Sequence, residues 1–121
     1  MNGFIKMHRK IINWEWYSDT PTKVAFLHLL LIASHRKTKW QGIDVDPGMA
    51  IIGLKKFGME CGLTFQQVRT SLKKLESTGE ISVKSTNKYT VVTIEKWEDY
   101  QLEYEIATNK QQTNNKQITN K

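Results

Sequence analysis

The chain has 121 residues, 39% of them hydrophobic and 10% aromatic, and carries 18 Lys and Arg against 12 Asp and Glu for a net charge of +6. That length suits one domain, or one small domain and a tail. No run reaches the roughly 18 apolar residues of a membrane span, no apolar signal region follows residues 1–9, and the lone Cys61 excludes an intramolecular disulfide and a cysteine metal cluster. A cytoplasmic protein without membrane contact is the expected class. The positive balance points to a polyanionic partner, most often nucleic acid. The charge is also segregated. Residues 55–88 hold seven cations (Lys55, Lys56, Arg69, Lys73, Lys74, Lys84, Lys88) and three acids, whereas residues 95–105 hold five acids and one Lys.

Residues 4–16 mix apolar, aromatic and basic side chains with neither helical nor strand period, and predict an extended lead-in with a strand near Met7–Arg9. Asp19 or Thr20 is placed to cap a helix, and Pro21 suits its first turn, where an N–H has no partner to lose. That helix is expected over about residues 21–34. Val24, Leu27, Leu30 and Leu31 mark one face. Phe26, Leu29, Ile32 and Ala33 make it apolar nearly all round, the pattern of a helix central to its domain. His35–Lys39 reads as a polar loop, with Gly42 beyond it. Asp46-Pro47-Gly48 is a turn, because Pro presets φ and Gly takes a positive φ. Short strands are expected at Ile43–Val45 and Met49–Ile52.

Leu54–Cys61 reads as a short helix stopped by Gly62. Thr64-Phe65-Gln66-Gln67 is a capping box: Thr64 caps, and Gln67 reaches back. The helix it opens carries Val68, Leu72 and Leu75, spaced four and three apart, and ends before Gly79. Residues 81–85 and 89–94 are β-rich runs around the hairpin turn Thr86-Asn87-Lys88. Trp97–Tyr104 is amphipathic and expected to be helical. From Ala107 onward, Thr, Asn, Lys and Gln recur in a low-complexity pattern that buries too little surface to offset its ordering entropy. The expected fold is therefore α+β, a winged helix-turn-helix over residues 1–104 followed by a disordered basic linker over residues 105–121.

The functional signal lies in Leu54–Ile94. Two helices meet across Gly62-Leu63-Thr64, the three-residue joint of a helix-turn-helix. The second helix of such a pair lies in the DNA major groove. With Val68, Leu72 and Leu75 inward, Gln66, Arg69, Thr70, Lys73 and Lys74 are expected outward. Gln can pair with adenine and Arg with guanine. Thr64 and Gln67 stand at the helix N-terminus, which favours a phosphate. Lys73 and Lys74 are expected on backbone phosphates, which fix register, and Lys84 and Lys88 on the wing near a phosphate or the minor groove. The same surface serves protein contacts in some winged helices.

The run from Leu63 to Ile81 resembles the recognition helix and the start of the wing of many winged-helix proteins, including GntR-type and MarR-type regulators. A wider likeness covers about residues 3–101. It is carried by Asn13-Trp14-Glu15-Trp16-Tyr17-Ser18-Asp19-Thr20, Lys23, Phe26–Leu31, Lys39-Trp40-Gln41-Gly42, Pro47-Gly48, Val68–Glu76, Thr86–Ile94 and Tyr100-Gln101. These segments resemble the N-terminal domain of phage and mobile-element replication proteins related to DnaD. The resemblance implies a winged-helix domain that binds DNA or self-associates, acts without catalysis in replication initiation, and helps recruit the replicative helicase or its loader. A transcriptional regulator on the same fold, or a protein–protein module forming a homodimer or higher oligomer, are the rival expectations. Gly53 departs from the pattern, standing where a Ser or Thr cap is expected before Leu54; a Gly cap costs little.

His8, His28 and His35 form no metal set, since tight sites need three or four placed ligands. No Ser–His–Asp arrangement, phosphate-cradling glycine loop or catalytic carboxylate pair stands out, so neither an enzyme nor a cofactor is expected. Cys61 reads as a small buried hydrophobe or a reactive thiol. Two readings fit Trp14, Trp16 and Tyr17: core packing, or a share in a homodimer interface.

Overall fold

The computed structural model describes residues 3–101. They form, in order, α1 (Thr20–Ile32), β1 (Thr38–Trp40), β2 (Ile43–Val45), β3 (Met49–Ile52), α2 (Leu54–Cys61), α3 (Phe65–Ser77), β4 (Ile81–Ser85) and β5 (Thr90–Ile94). Short 3-10 helices occupy Arg9–Asn13 and Trp97–Tyr100. The class is α+β. The linker expected over residues 105–121 and residues 102–104 of the last expected helix lie outside the described residues.

α1 is the packing axis. Asp19 rather than Thr20 caps it, its carboxylate accepting from the Thr22 N–H at 3.3 Å. Thr22, Ala25, Phe26, Leu29 and Leu30 are each at most 1% exposed. Their spacing of three and four residues is one helical stripe. That stripe is rotated from the one expected: Val24 and Leu27 are half-buried, and Leu31 is 63% exposed. An all-apolar helix does not say which side is innermost; the partners decide.

α2 opens at Gly53 without a side-chain cap and stops at Gly62, whose φ of +79° is the left-handed conformation glycine adopts without strain. A Cβ on Gly58 would stand 2.6 Å from the Leu63 carbonyl oxygen and 3.2 Å from the Val68 side chain. Its absence lets the joint fold back closely on α2. α3 then starts with both halves of the capping box: Thr64 Oγ1 accepts from the Gln67 N–H at 3.0 Å, and Gln67 Oε1 accepts from the Thr64 N–H at 2.9 Å. Val68, Leu72 and Leu75 face inward as expected. Ser71 joins them, its Oγ 3.4 Å from the Thr22 hydroxyl across the α1–α3 contact.

One sheet has the order β3-β5-β4, all antiparallel. Its central strand buries Thr90, Val92 and Ile94 in alternation, so one face meets the helices. The strands expected around Asp46-Pro47-Gly48 form, but not with each other: β3 pairs with β5, and β2 pairs with β1. β1 corrects the expectation of a loop reaching Lys39. Its three residues are all exposed, so no apolar pattern announced it. Backbone pairing across a turn with positive φ at Gln41 and Gly42 forms it, and Trp40 rests edge-on against Tyr89, with ring centres 5.3 Å apart.

The strand expected near Met7–Arg9 is absent; a 3-10 helix begins at Arg9, with His8 Nδ1 accepting from the Lys10 N–H at 3.0 Å. Aromatic anchors, not strand pairing, fasten this segment. Trp14 Nε1 donates to Glu80 at 2.9 Å and Trp16 Nε1 to Thr78 Oγ1 at 2.9 Å. The Trp14 ring lies 5.1 Å from Phe26. Both indoles are half-buried against the core, whereas Tyr17 remains 38% exposed with Lys23 Nζ 4.2 Å from its ring centre.

Candidate nucleic-acid interface

Inward pressure from Val68, Ser71, Leu72 and Leu75 turns the opposite stripe of α3 to solvent. Gln66, Arg69, Thr70 and Lys73 share that stripe and are exposed. Gln66 Nε2 donates to Thr70 Oγ1 at 3.2 Å, one turn along. The Arg69 guanidinium lies 5.8 Å from the ring centre of Phe65. Phe65 is itself 50% exposed at the first position of α3. Its only mark in the sequence is its place, an aromatic immediately after a cap and outside the apolar stripe.

Thr64 and Gln67 have their acceptor oxygens committed to the capping box. The Thr64 hydroxyl hydrogen and the Gln67 amide hydrogens stay available as donors. Both residues are exposed beside the α3 N-terminus, where the helix dipole favours negative charge.

Lys74 does not join this stripe. Its ammonium reaches the other way, 2.6 Å from the second carboxylate oxygen of Asp19 and 5.6 Å from the Trp16 ring centre. Asp19 thus caps α1 and grips α3 together. The hydrogen bond from Lys74 is the main cause holding its carboxyl below the ordinary value of 3.8, against the opposing effect of burial. Lys74 is a structural cation.

Lys84 and Lys88 stand exposed on the β4–β5 hairpin. Thr86 shapes that turn: its hydroxyl oxygen accepts from the N–H groups of Lys88 and Tyr89 at 3.2 Å. Among the described residues, Arg69, Lys73, Lys84 and Lys88 make no ion pair. The neighbouring acids are occupied. Glu60 pairs with His28 at 3.1 Å, Glu76 accepts from the Val83 N–H at 3.2 Å, and Glu80 accepts from Trp14 and from the Thr78 hydroxyl. The result is a set of uncompensated donors on α3 and the hairpin that follows it.

Elsewhere, Cys61 packs partly buried against the core. Burial raises its thiol above the ordinary 9.0, and the charge of Glu60 adds to this. It is held protonated at neutral pH, a poor nucleophile. Among the described residues no group of three or more His, Cys, Asp and Glu is placed to hold a metal, and no helix is long and apolar enough to cross a membrane. No family model matches the chain, and neither a characterised protein nor a solved structure does.

Proposed function

We propose that residues 3–101 are a winged helix-turn-helix module that binds duplex DNA without catalysis. α3 enters the major groove and the β4–β5 hairpin serves as the wing. The observation that carries this is the outward stripe of α3, whose cations lack acidic partners while each nearby acid is engaged elsewhere. Arg69 and Gln66 face base edges, Thr64, Gln67 and Lys73 the phosphates, Thr70 steadies Gln66, and Lys84 and Lys88 extend the phosphate track. Within this reading the module acts in replication initiation of a phage or mobile element, bringing the replicative helicase or its loader to DNA. That role rests on the likeness to DnaD-related proteins.

Fluorescence anisotropy with a duplex of about 20 base pairs, one protein-sized site, tests DNA binding. Each phosphate neutralised contributes about 0.9 to the slope of log affinity against log salt. Arg69→Ala with Lys73→Ala should lower that slope by about 1, the share of Lys73, and weaken binding about tenfold or more in 0.1 M salt, the lost Arg69 base contact included. Affinity and slope equal to wild type would remove α3 from the mechanism. Retention of purified helicase loader on the immobilised protein tests the replication role.

A further inference from the structure

A cleft of about 400 Å³ opens between the end of α1, the β1–β2 hairpin, β3 and α2. That volume falls within the range of small-ligand pockets. Its lining combines Trp40, Ile51 and Gly53 with Lys39, Lys56 and Glu60. Trp40 is 39% exposed although its ring packs against Tyr89 in a T-shaped contact. It is a partly exposed aromatic held in place where the tips of two hairpins meet.

The charged side chains around this surface are Lys39, Lys56 and Glu60, with Asp44 beside Lys39. Glu60 is already bound by His28 at 3.1 Å. Lys56 is exposed with no ion pair among the described residues. Lys39 holds only Asp44, at 3.2 Å, with both side chains about 70% exposed. Such a pair is readily exchanged for another anion. A partly exposed aromatic flanked by one unpaired ammonium and one in an exchangeable surface pair matches the chemistry of a single-stranded nucleic acid, whose unpaired bases stack while its phosphates meet cations. A duplex keeps its bases stacked on each other and offers none to such a cleft.

We propose that this cleft is a second nucleic-acid site that takes an unpaired nucleotide of single-stranded DNA. The base stacks on Trp40, and the adjoining phosphates are held by Lys56 and Lys39. This extends the DNA-binding reading, but uses side chains separate from those on α3. The module would then hold a duplex on α3 and an opened strand in this cleft.

The test compares wild type, Trp40→Ala, Trp40→Phe, Lys56→Glu and the α3 double variant on two labelled probes, an oligothymidylate of about 12 nucleotides and the duplex used above. Circular dichroism checks that each variant is folded. Trp40→Ala should weaken oligothymidylate binding about fivefold or more, Trp40→Phe should retain most of it, and both should bind the duplex as wild type does. Lys56→Glu should weaken the single-strand probe and flatten its salt dependence. The α3 double variant should lose duplex affinity and keep oligothymidylate affinity. Oligothymidylate affinity unchanged in folded Trp40→Ala and Lys56→Glu, or absent from wild type, overturns the second site while leaving the duplex reading intact. Loss of duplex binding alone in wild type overturns the α3 reading and not this one. A lower mass by light scattering for Trp40→Ala, with oligothymidylate binding unchanged, would assign the cleft to contact between copies of the chain and overturn the proposal.

Discussion

α1 and α3 each span 13 residues and are capped by a hydrogen-bonding side chain, yet they solve opposite problems. α1 is apolar on nearly every side and presents one cation, Lys23; it is built to be surrounded. α3 has a single apolar stripe and a polar, cationic remainder; it is built to be half-covered. The difference teaches how position assigns a role to charge. Lys73 and Lys74 are adjacent in sequence, but a rotation of about 100° per residue sends one to solvent and the other to Asp19 at the head of α1. The same residue type is a surface donor at one position and a clamp at the next.

The sharpest way to break this contrast is to empty the axis. Phe26 is 1% exposed and lies between Trp14 and Tyr100, with ring centres 5.1 and 5.8 Å away. Phe26→Ala should cost about 3–5 kcal/mol in urea unfolding. Leu31→Ala on the same helix, 63% exposed, should stay within about 0.5 kcal/mol. Equal effects would place the axis of packing elsewhere.

The next largest effect lies where α2 meets α3. Gly58→Ala would drive a methyl group into the Leu63 carbonyl, 2.6 Å away. A backbone atom yields less easily than a side-chain tip. A loss of about 2 kcal/mol is expected, outweighing the helix-propensity gain of about 1 kcal/mol, and duplex affinity should fall as the two helices shift. A more stable variant would show that the joint has room.

The smallest effect separates the clamp from the surface. Asp19→Asn and Lys74→Ala should each cost about 1 kcal/mol at neutral pH, the scale of a weakened cap or ion pair. Because the Asp19 carboxyl lies below its ordinary value in the folded chain, its contribution is complete above about pH 4. It disappears as pH falls through the lowered value. Stability against pH should therefore drop more steeply in wild type than in Asp19→Asn at the acid end. Lys73→Ala should leave that profile unchanged.

The legibility of the chain follows the same division. The bounds of α2 and α3 were readable, because their punctuation is local: Gly62 needs a left-handed φ, and Thr64 with Gln67 satisfies the first amides of α3 from within four residues. β4 and β5 were readable from β-branched alternation around a polar turn. The exposure of Gln66, Arg69, Thr70 and Lys73 followed from Val68, Leu72 and Leu75, since fixing one stripe of a helix fixes its opposite; Lys74, expected outward with them, turns instead to Asp19. The exposure of Phe65 and Trp40 was not legible because an exposed aromatic looks, in one dimension, like any core residue. β1 was missed because its stability comes from its partner strand, not from its own pattern.

Local chemistry thus determined from sequence alone the α+β class, the caps and stops of α2 and α3, and the outward stripe of α3. Those features depend on neighbours within about one helical turn, which a linear reading contains. Tertiary structure alone decided which side of α1 is buried, that β3 pairs with β5 rather than with β2, that Lys74 belongs to Asp19, and that Trp40 meets Tyr89. Each of these joins residues many positions apart, where several pairings satisfy the same pattern and only simultaneous packing selects one.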